Sequence, residues 1–220
     1  MRLRWGVAAV LLNVNLATDD ELRPSTSRWA KRPTGIDKRP RTERIQTGHD
    51  QLIGDHICNR KHHGGPDQAV YAYAAEDARW WASELSRVVG PGAFGENFTT
   101  EGLDVTGAVV GELWAIGSAV FEVSVPRIPC RVFAGFWDVS DLIKRFTRAG
   151  RPGAYLRIHT AGEVGRGDRI EVTHRPSHGV TIGETFRALT GDHSLAHRLL
   201  QAPELPEEAL ASARKWAAQT

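Results

Sequence analysis

The chain has 220 residues, 41% hydrophobic and 25% charged, the proportions of one sizeable globular domain or one domain with a small appendage. Its net charge of +2 is too small to argue for a nucleic-acid or membrane partner. Two cysteines do not make a disulfide framework at this length, so a reduced, cytoplasmic protein is the simpler expectation.

Arg2 and Arg4 precede an apolar run from Val7 to Leu12, as in a short signal peptide, but Asn13 and Asn15 interrupt it and alternate with Val14 and Leu16. The pattern predicts a buried first strand over 7–16. No stretch approaches the ~20 apolar residues of a membrane helix. Residues 17–40, with Pro24, Pro33, Gly35 and Pro40, read as irregular. Within 23–44, eight Arg or Lys face only Asp37 and Glu43, which suits an anion grip or a solvated loop. Strand material over 42–57 ends at Gly54 and Asp55, and a long turn follows from His56 to Asp67. The clearest helix spans 74–89, with Trp80, Trp81, Leu85, Val88 and Val89 on its apolar face and Gly90-Pro91 to stop it. Glu76 and Asp77 lie in its first turn, where the helix dipole favours them.

Residues 98–125 carry β signals: the run Val109 to Ile116, the turn Gly117-Ser118, and then Ala119, Phe121, Val123 and Val125 alternating with Val120, Glu122 and Ser124. Pro126 and Pro129 end that strand. A short helix over 138–149, capped by Ser140, closes at Gly150. Short strands over 155–158 and 169–172 flank a Gly-rich connection. Closely spaced short strands with few helices between them predict a mainly β chain, a β-barrel over residues 1–176. Three short helices between about 181 and 218 predict a small helical domain over 177–220. Thr181 and Glu184 have capping-box spacing, Gly191 ends the first helix, Ser194 starts the second, and Pro206 sits at the first turn of the third.

Chemistry can be looked for in four places. Cys130 follows a strand, stiffened by Pro126 and Pro129 and flanked by Arg127 and Arg131, and neighbouring cations favour the thiolate that binds soft metals or attacks electrophiles. A buried structural cysteine is the alternative. His56, Cys58, His62 and His63 include zinc-ligand types without a standard spacing, while Lys61, His62, His63, Gly64 and Gly65 suit an anion cradle or a plain turn. Asn97 and Thr99 in the turn 92–99 can bond a ligand's ring edges or their own backbone. Arg151, between Gly150 and Gly153, can reach an anion. No P-loop, GxSxG, HExxH or dinucleotide fingerprint is present.

Five stretches in this order, Thr34–Pro40, His62–Tyr73, Gly92–Thr99, Pro126–Cys130 and Gly150–Leu156, resemble the MOSC family, named for the C-terminal domain of molybdenum cofactor sulfurase, and within it the YiiM-like branch with three helices after the barrel. The resemblance implies binding of the molybdenum cofactor, a pyranopterin with a phosphate. In its terms Cys130 is the molybdenum ligand and catalytic residue. Lys38, Arg127, Arg151 and the turn His62-His63-Gly64 hold the phosphate, and Asn97 and Thr99 read the pterin edge. It further implies reduction of N-hydroxylated compounds such as 6-hydroxylaminopurine, as detoxification, with electrons from a redox partner protein and with no nucleic acid or membrane involved, in a monomer or homodimer. An alternative within the family is a sulfur carrier with a persulfide on Cys130. Pyridoxal phosphate binding is a further association. Val125 replaces a frequent glutamine of the family and Leu16 a frequent glycine.

Overall fold

The computed structural model describes residues 8–18, 34–58 and 64–219. The chain order is β1 (Val10–Leu16), β2 (Arg39–Arg41), β3 (Ile45–Gln46), a 3-10 turn (Pro66–Gln68), β4 (Val70–Ala74), α1 (Ala75–Leu85), β5 (Phe98–Glu101), β6 (Leu113–Ile116), β7 (Ala119–Pro126), α2 (Arg131–Trp137), α3 (Leu142–Ala149), β8 (Ala154–Thr160), β9 (Glu163–Val164) and β10 (Ile170–His174). Then come α4 (Ile182–Leu189), a 3-10 turn (His193–Leu195), α5 (Ala196–Leu199) and α6 (Glu207–Ala217). Among the described residues, no helix is long and apolar enough to cross a membrane.

Eight strands form one mixed sheet in the order β10-β6-β7-β8-β4-β5-β1-β2, in which β4 and β5 are parallel. The expected closed barrel is not formed. The sheet curls until residues 9–11 meet 167–170, but that meeting is an isolated bridge between Val10 and Arg169, not a strand ladder. The reason is visible in β1, whose later half pairs with β2, so the end of the sheet is β2 and not a free length of β1.

Strand β4 shows how the layers arise. Successive side chains on a strand point to opposite faces. Val70, Ala72 and Ala74 enter the main core with Phe98, Phe121 and Leu156. Tyr71 and Tyr73 enter a second, aromatic core with Trp81, Phe94, Phe133 and Phe146, roofed by α1, α2 and α3. A strand covered on both faces has no polar alternation, and all five residues of β4 are buried.

Other expectations also shift. Helix α1 ends at Ser86 in the left-handed region, before Gly90, and Val88 is fully exposed. Helix α2 occupies residues 131–137, for which the sequence predicts no element, and α3 starts after Asp141 rather than at 138. The stretch 42–57 yields only the short β3 and a bridge between Thr47 and Leu52.

The C-terminal helices are present where expected. Ile182, Leu199, Leu205 and Ala213 belong to the same apolar core as Trp114 and Ile116 of the sheet, which is how helices this short persist. The capping box of α4 is complete: the Glu184 N–H donates to the Thr181 hydroxyl at 3.1 Å, and the Thr181 N–H donates to the Glu184 carboxylate at 2.9 Å. Thr181→Ala is expected to cost about 1 kcal/mol in urea unfolding, with an unchanged slope.

Candidate functional site

Cys130 stands where β7 gives way to α2. A register shift between Val123 and Val125 bends the end of β7, and Pro126 and Pro129 stiffen the passage. The Cys130 backbone is extended, and its carbonyl accepts the Ala134 N–H at 3.1 Å, so its position is set by the start of α2. The side chain is half-buried and packs against the aromatic core.

Of the two flanking arginines, Arg131 is exposed and Arg127 is buried. Arg127 donates to the Phe94 carbonyl, and its guanidinium lies 4.3 Å from the Phe133 ring centre and 5.2 Å from that of Tyr71. Burial opposes its charge, yet Tyr71, Tyr155 and Cys130 together hold its pKa above the usual arginine value. Burial pushes Tyr155 up, Arg127 pulls against this, and Cys130 adds to the rise. Cys130, Arg127 and Tyr155 thus act electrostatically as one group: a soft sulfur donor, a desolvated cation and a phenol.

Lys38, Asn97 and Thr99 form a second group. Lys38 Nζ lies 2.5 Å from each carboxylate oxygen of Asp55, and both side chains are almost fully buried. Asp55 also accepts the Ala17 N–H and the Asn97 amide, each at 2.9 Å. Asn97 Oδ1 accepts the Tyr71 N–H at 3.1 Å. Thr99 donates to Glu96 at 2.9 Å and accepts from Asn15 at 3.0 Å. The Glu96 carboxylate gathers the N–H groups of Gly92 and Phe94. Burial raises the Glu96 pKa, against the pull of these bonds. Gly92 has φ +81°, and a Cβ there would collide with the Lys38 carbonyl. The stretches 34–40 and 92–99 are therefore interlocked by backbone contact, and their polar side chains bond to the fold itself. The aromatic core joins the two groups, because Phe94 receives Arg127 and donates to Glu96.

Arg151 is placed elsewhere. It pairs with Asp77 of α1, and its guanidinium lies 4.9 Å from the Trp80 ring centre. Burial raises the Asp77 pKa even against this arginine. Arg151→Met is expected to raise it further. A carboxyl whose folded pKa exceeds its unfolded one costs stability when ionised, so the variant's deficit is largest at neutral pH. That deficit shrinks as pH falls through the raised Asp77 value. Its size is on the order of 1 kcal/mol, because the arginine side chain is 39% exposed and screened. Urea midpoints at neutral and acid pH check this.

Gly64 and Gly65, with φ +84° and +78°, line a cleft of about 670 Å³. Its other walls include Val125, Pro126 and Ile128, Tyr155 of β8, and Pro206, Glu207, Glu208, Ala209 and Ser212 at the start of α6, while Cys130 and Arg127 are not among its described lining residues. His62 and His63 lie outside the described residues, as do Arg23, Arg28, Lys31, Arg32 and Lys61. Arg39 meets Asp37 at 3.3 Å and Arg44 meets Asp168 at 3.0 Å, so these cations of the basic stretch are paired within the chain. Among the described residues, no cluster of three His, Cys, Asp or Glu is arranged to hold a metal.

The sequence does not reveal Tyr71 as a neighbour of Arg127, Tyr155 as a partner of Arg127 and Cys130, or Asp67, which pairs with Arg157 at 2.6 Å beside the cleft. For Tyr155 the available signal is its place in the Gly-rich stretch 150–156 that the resemblance marks.

The MOSC domain model matches residues 59–171, a span that includes Cys130, Arg127, Tyr155 and the Gly64 turn. The chain belongs to the MOSC family. This molybdenum-cofactor-associated family has a YiiM-like branch, and the chain is 34% identical to protein YiiM of Escherichia coli over 161 residues, 70% of this chain and 71% of that one. The crystal structure of YiiM from Geobacillus stearothermophilus superposes with a TM-score of 0.77 at 25% identity, covering 94% of this chain and 98% of that one. A Gibberella moniliformis protein named reductase matches 159 residues at 28% identity, 70% of this chain but 28% of that longer protein.

The chemistry of Cys130, a thiol coupled to the buried cation of Arg127, would suit a soft metal with an anionic ligand set. At the phosphate end, Lys38 and Arg151 are already held by Asp55 and Asp77. Pyridoxal phosphate binding finds no support in the matched family or in the YiiM relative, and the Lys38 amine is held in its ion pair with Asp55.

Proposed function

We propose that this MOSC protein is a molybdenum-cofactor-dependent oxidoreductase that reduces N-hydroxylated compounds, with Cys130 as the protein ligand to the metal. The observation that carries the reading is the grouping of Cys130, buried Arg127 and Tyr155 on the aromatic core at the end of β7. The family and the reductase-named relative support the redox class.

In this reading Cys130 holds the metal. Arg127, fixed by Phe94, Phe133 and Tyr71, keeps a positive charge beside the anionic pterin. The turn around Gly64 would take the phosphate through its backbone N–H groups. Lys38, Asn97 and Thr99 support the loops that carry the site. The cofactor, when bound, supplies two-electron redox chemistry. The overall change is R–NH–OH plus two electrons and two protons giving R–NH2 and water, with the N–O bond broken and the electrons drawn from a redox partner protein. Tyr155, whose phenol is held by burial above the ordinary tyrosine pKa, would donate a hydrogen bond to the departing oxygen.

The test is turnover by cofactor-loaded protein of 6-hydroxylaminopurine with a reduced one-electron dye as donor, read as appearance of the amine. Wild type is expected to turn over and Cys130→Ser to lose the activity. Full activity in Cys130→Ser overturns the reading. A persulfide on Cys130 after incubation with a cysteine desulfurase, in protein that retains no molybdenum, selects the sulfur-carrier alternative.

A further inference from the structure

Glu96 is a buried carboxylate that the proposed reaction leaves without a task. It is 1% exposed, and among the described residues no Lys, Arg or His pairs with it. Its charge is met by the N–H groups of Gly92 and Phe94, at 2.6 and 2.9 Å, and by the Thr99 hydroxyl at 2.9 Å. A carboxylate held this way draws loop N–H groups inward and fixes the peptides that carry them. The stretch 36–38 closes the other side of the loop: a Cβ on Gly95 would meet the Ile36 side chain at 2.8 Å, as one on Gly92 would meet the Lys38 carbonyl. The loop is therefore held from both sides, and the direction of the Phe94 carbonyl is fixed with it. That carbonyl accepts the Arg127 guanidinium. Arg127 is buried, and no carboxylate of the described residues pairs with it, so the Phe94 carbonyl and the rings of Tyr71 and Phe133 fix its head group. Phe133 lies in the first turn of α2, whose N-cap is Cys130.

We propose that Glu96 is a positioning residue: through the Phe94 carbonyl it holds the Arg127 charge at Cys130, and so sets the affinity of that thiol for anionic partners. The proposal rests on the reading of Cys130 and Arg127 as the cofactor-binding pair, and adds the group that keeps the pair together. Neutralising Glu96 has two opposite consequences. Loss of a buried negative charge, acting through space, makes the field at Cys130 more positive. Release of the loop lets the Arg127 head group leave and makes that field less positive. The sign of the change separates positioning from simple electrostatics.

The test measures alkylation of Cys130 by iodoacetate and by iodoacetamide in the full chain without cofactor, with Cys130 and the exposed Cys58 read as separate peptides by mass spectrometry. Both reagents react with the same thiolate. The ratio of their rates therefore cancels the thiolate fraction and reports the field that an anion meets at the sulfur. Wild type is expected to show a ratio roughly 3- to 10-fold above that of Arg127→Met, as for one partly screened unit charge. Glu96→Gln, whose amide turns N–H groups toward those of the loop, should fall toward the Arg127→Met value. Adding Glu96→Gln to Arg127→Met should lower the ratio no further, because the residue acts through that arginine. Glu96→Asp keeps the charge and shortens the reach by one carbon, so it should fall between wild type and Glu96→Gln, and it decides the question if Glu96→Gln does not fold. An unchanged or higher ratio in these single variants, or a further fall in the double variant, overturns the proposal. Ratios that follow the proposal, in a protein that takes up no molybdenum from a host competent for cofactor synthesis, sustain the role of Glu96 and overturn the metal-ligand reading.

Discussion

Replacing Asp55 with alanine is expected to cost about 3–5 kcal/mol of stability. The side chains of Lys38 and Asp55 are 8% and 2% exposed, and removing one partner leaves the other charge buried without compensation. Asp55 also accepts the Ala17 N–H and the Asn97 amide, so two further donors lose their acceptor. The loss falls where three loops meet, and against a total of roughly 5–15 kcal/mol it is a large fraction. Urea unfolding with an unchanged slope measures it, and a change below about 1 kcal/mol would show that the pair does not hold the loops. The same site separates two roles for Lys38. If it supports the fold, Lys38→Met lowers stability and leaves cofactor affinity in the surviving folded protein near that of wild type. If it grips phosphate, the affinity falls first.

The second large effect is chemical. Cys130→Ala removes a half-buried sulfur whose position is set by backbone geometry, so the fold should lose no more than about 1 kcal/mol. Turnover should nevertheless fall on the order of 100-fold or more, because even the supporting partners of metal ligands are worth 10- to 100-fold and the ligand itself more. Steady-state rates on loaded protein, beside urea curves on the same preparations, separate the two readings of this cysteine. A variant that keeps its rate and loses stability assigns Cys130 to packing.

Local features of the fold were legible in the sequence. The capping box of α4 needs only Thr181 and Glu184, three residues apart, and its geometry is as expected. The alternation along β7 likewise belongs to a strand with one face in the core as far as Val123, beyond which Ser124 is buried as well. Strand β4 was not legible. Its five buried residues show no alternation and run directly into α1, whose N-cap, Ala74, offers no side-chain signal. Helix α2 was hidden by its seven-residue length and by the prolines before it. The curl of the sheet without ladder closure depends on β2 taking the later half of β1, a pairing between distant segments.

The site divides in the same way. Cys130 stood out from its neighbours, and the ordered motifs around it pointed to the family. The partner of Lys38 lies 17 residues away and that of Arg151 lies 74 away, so sequence could see their charges but not that carboxylates of the chain already hold them. Arg127 read as one of two flanking cations. Only the placement of Tyr71 and Phe133 by β4 and α2 distinguishes it from Arg131.

The central claim is that Cys130 holds the metal of a molybdenum cofactor, and metal analysis of protein made in a host competent for cofactor synthesis tests it most directly. Wild type should carry close to one molybdenum per chain, and Cys130→Ala, folded and within about 1 kcal/mol of wild-type stability, should carry almost none. Wild type without molybdenum, or Cys130→Ala with the wild-type content, would contradict the account.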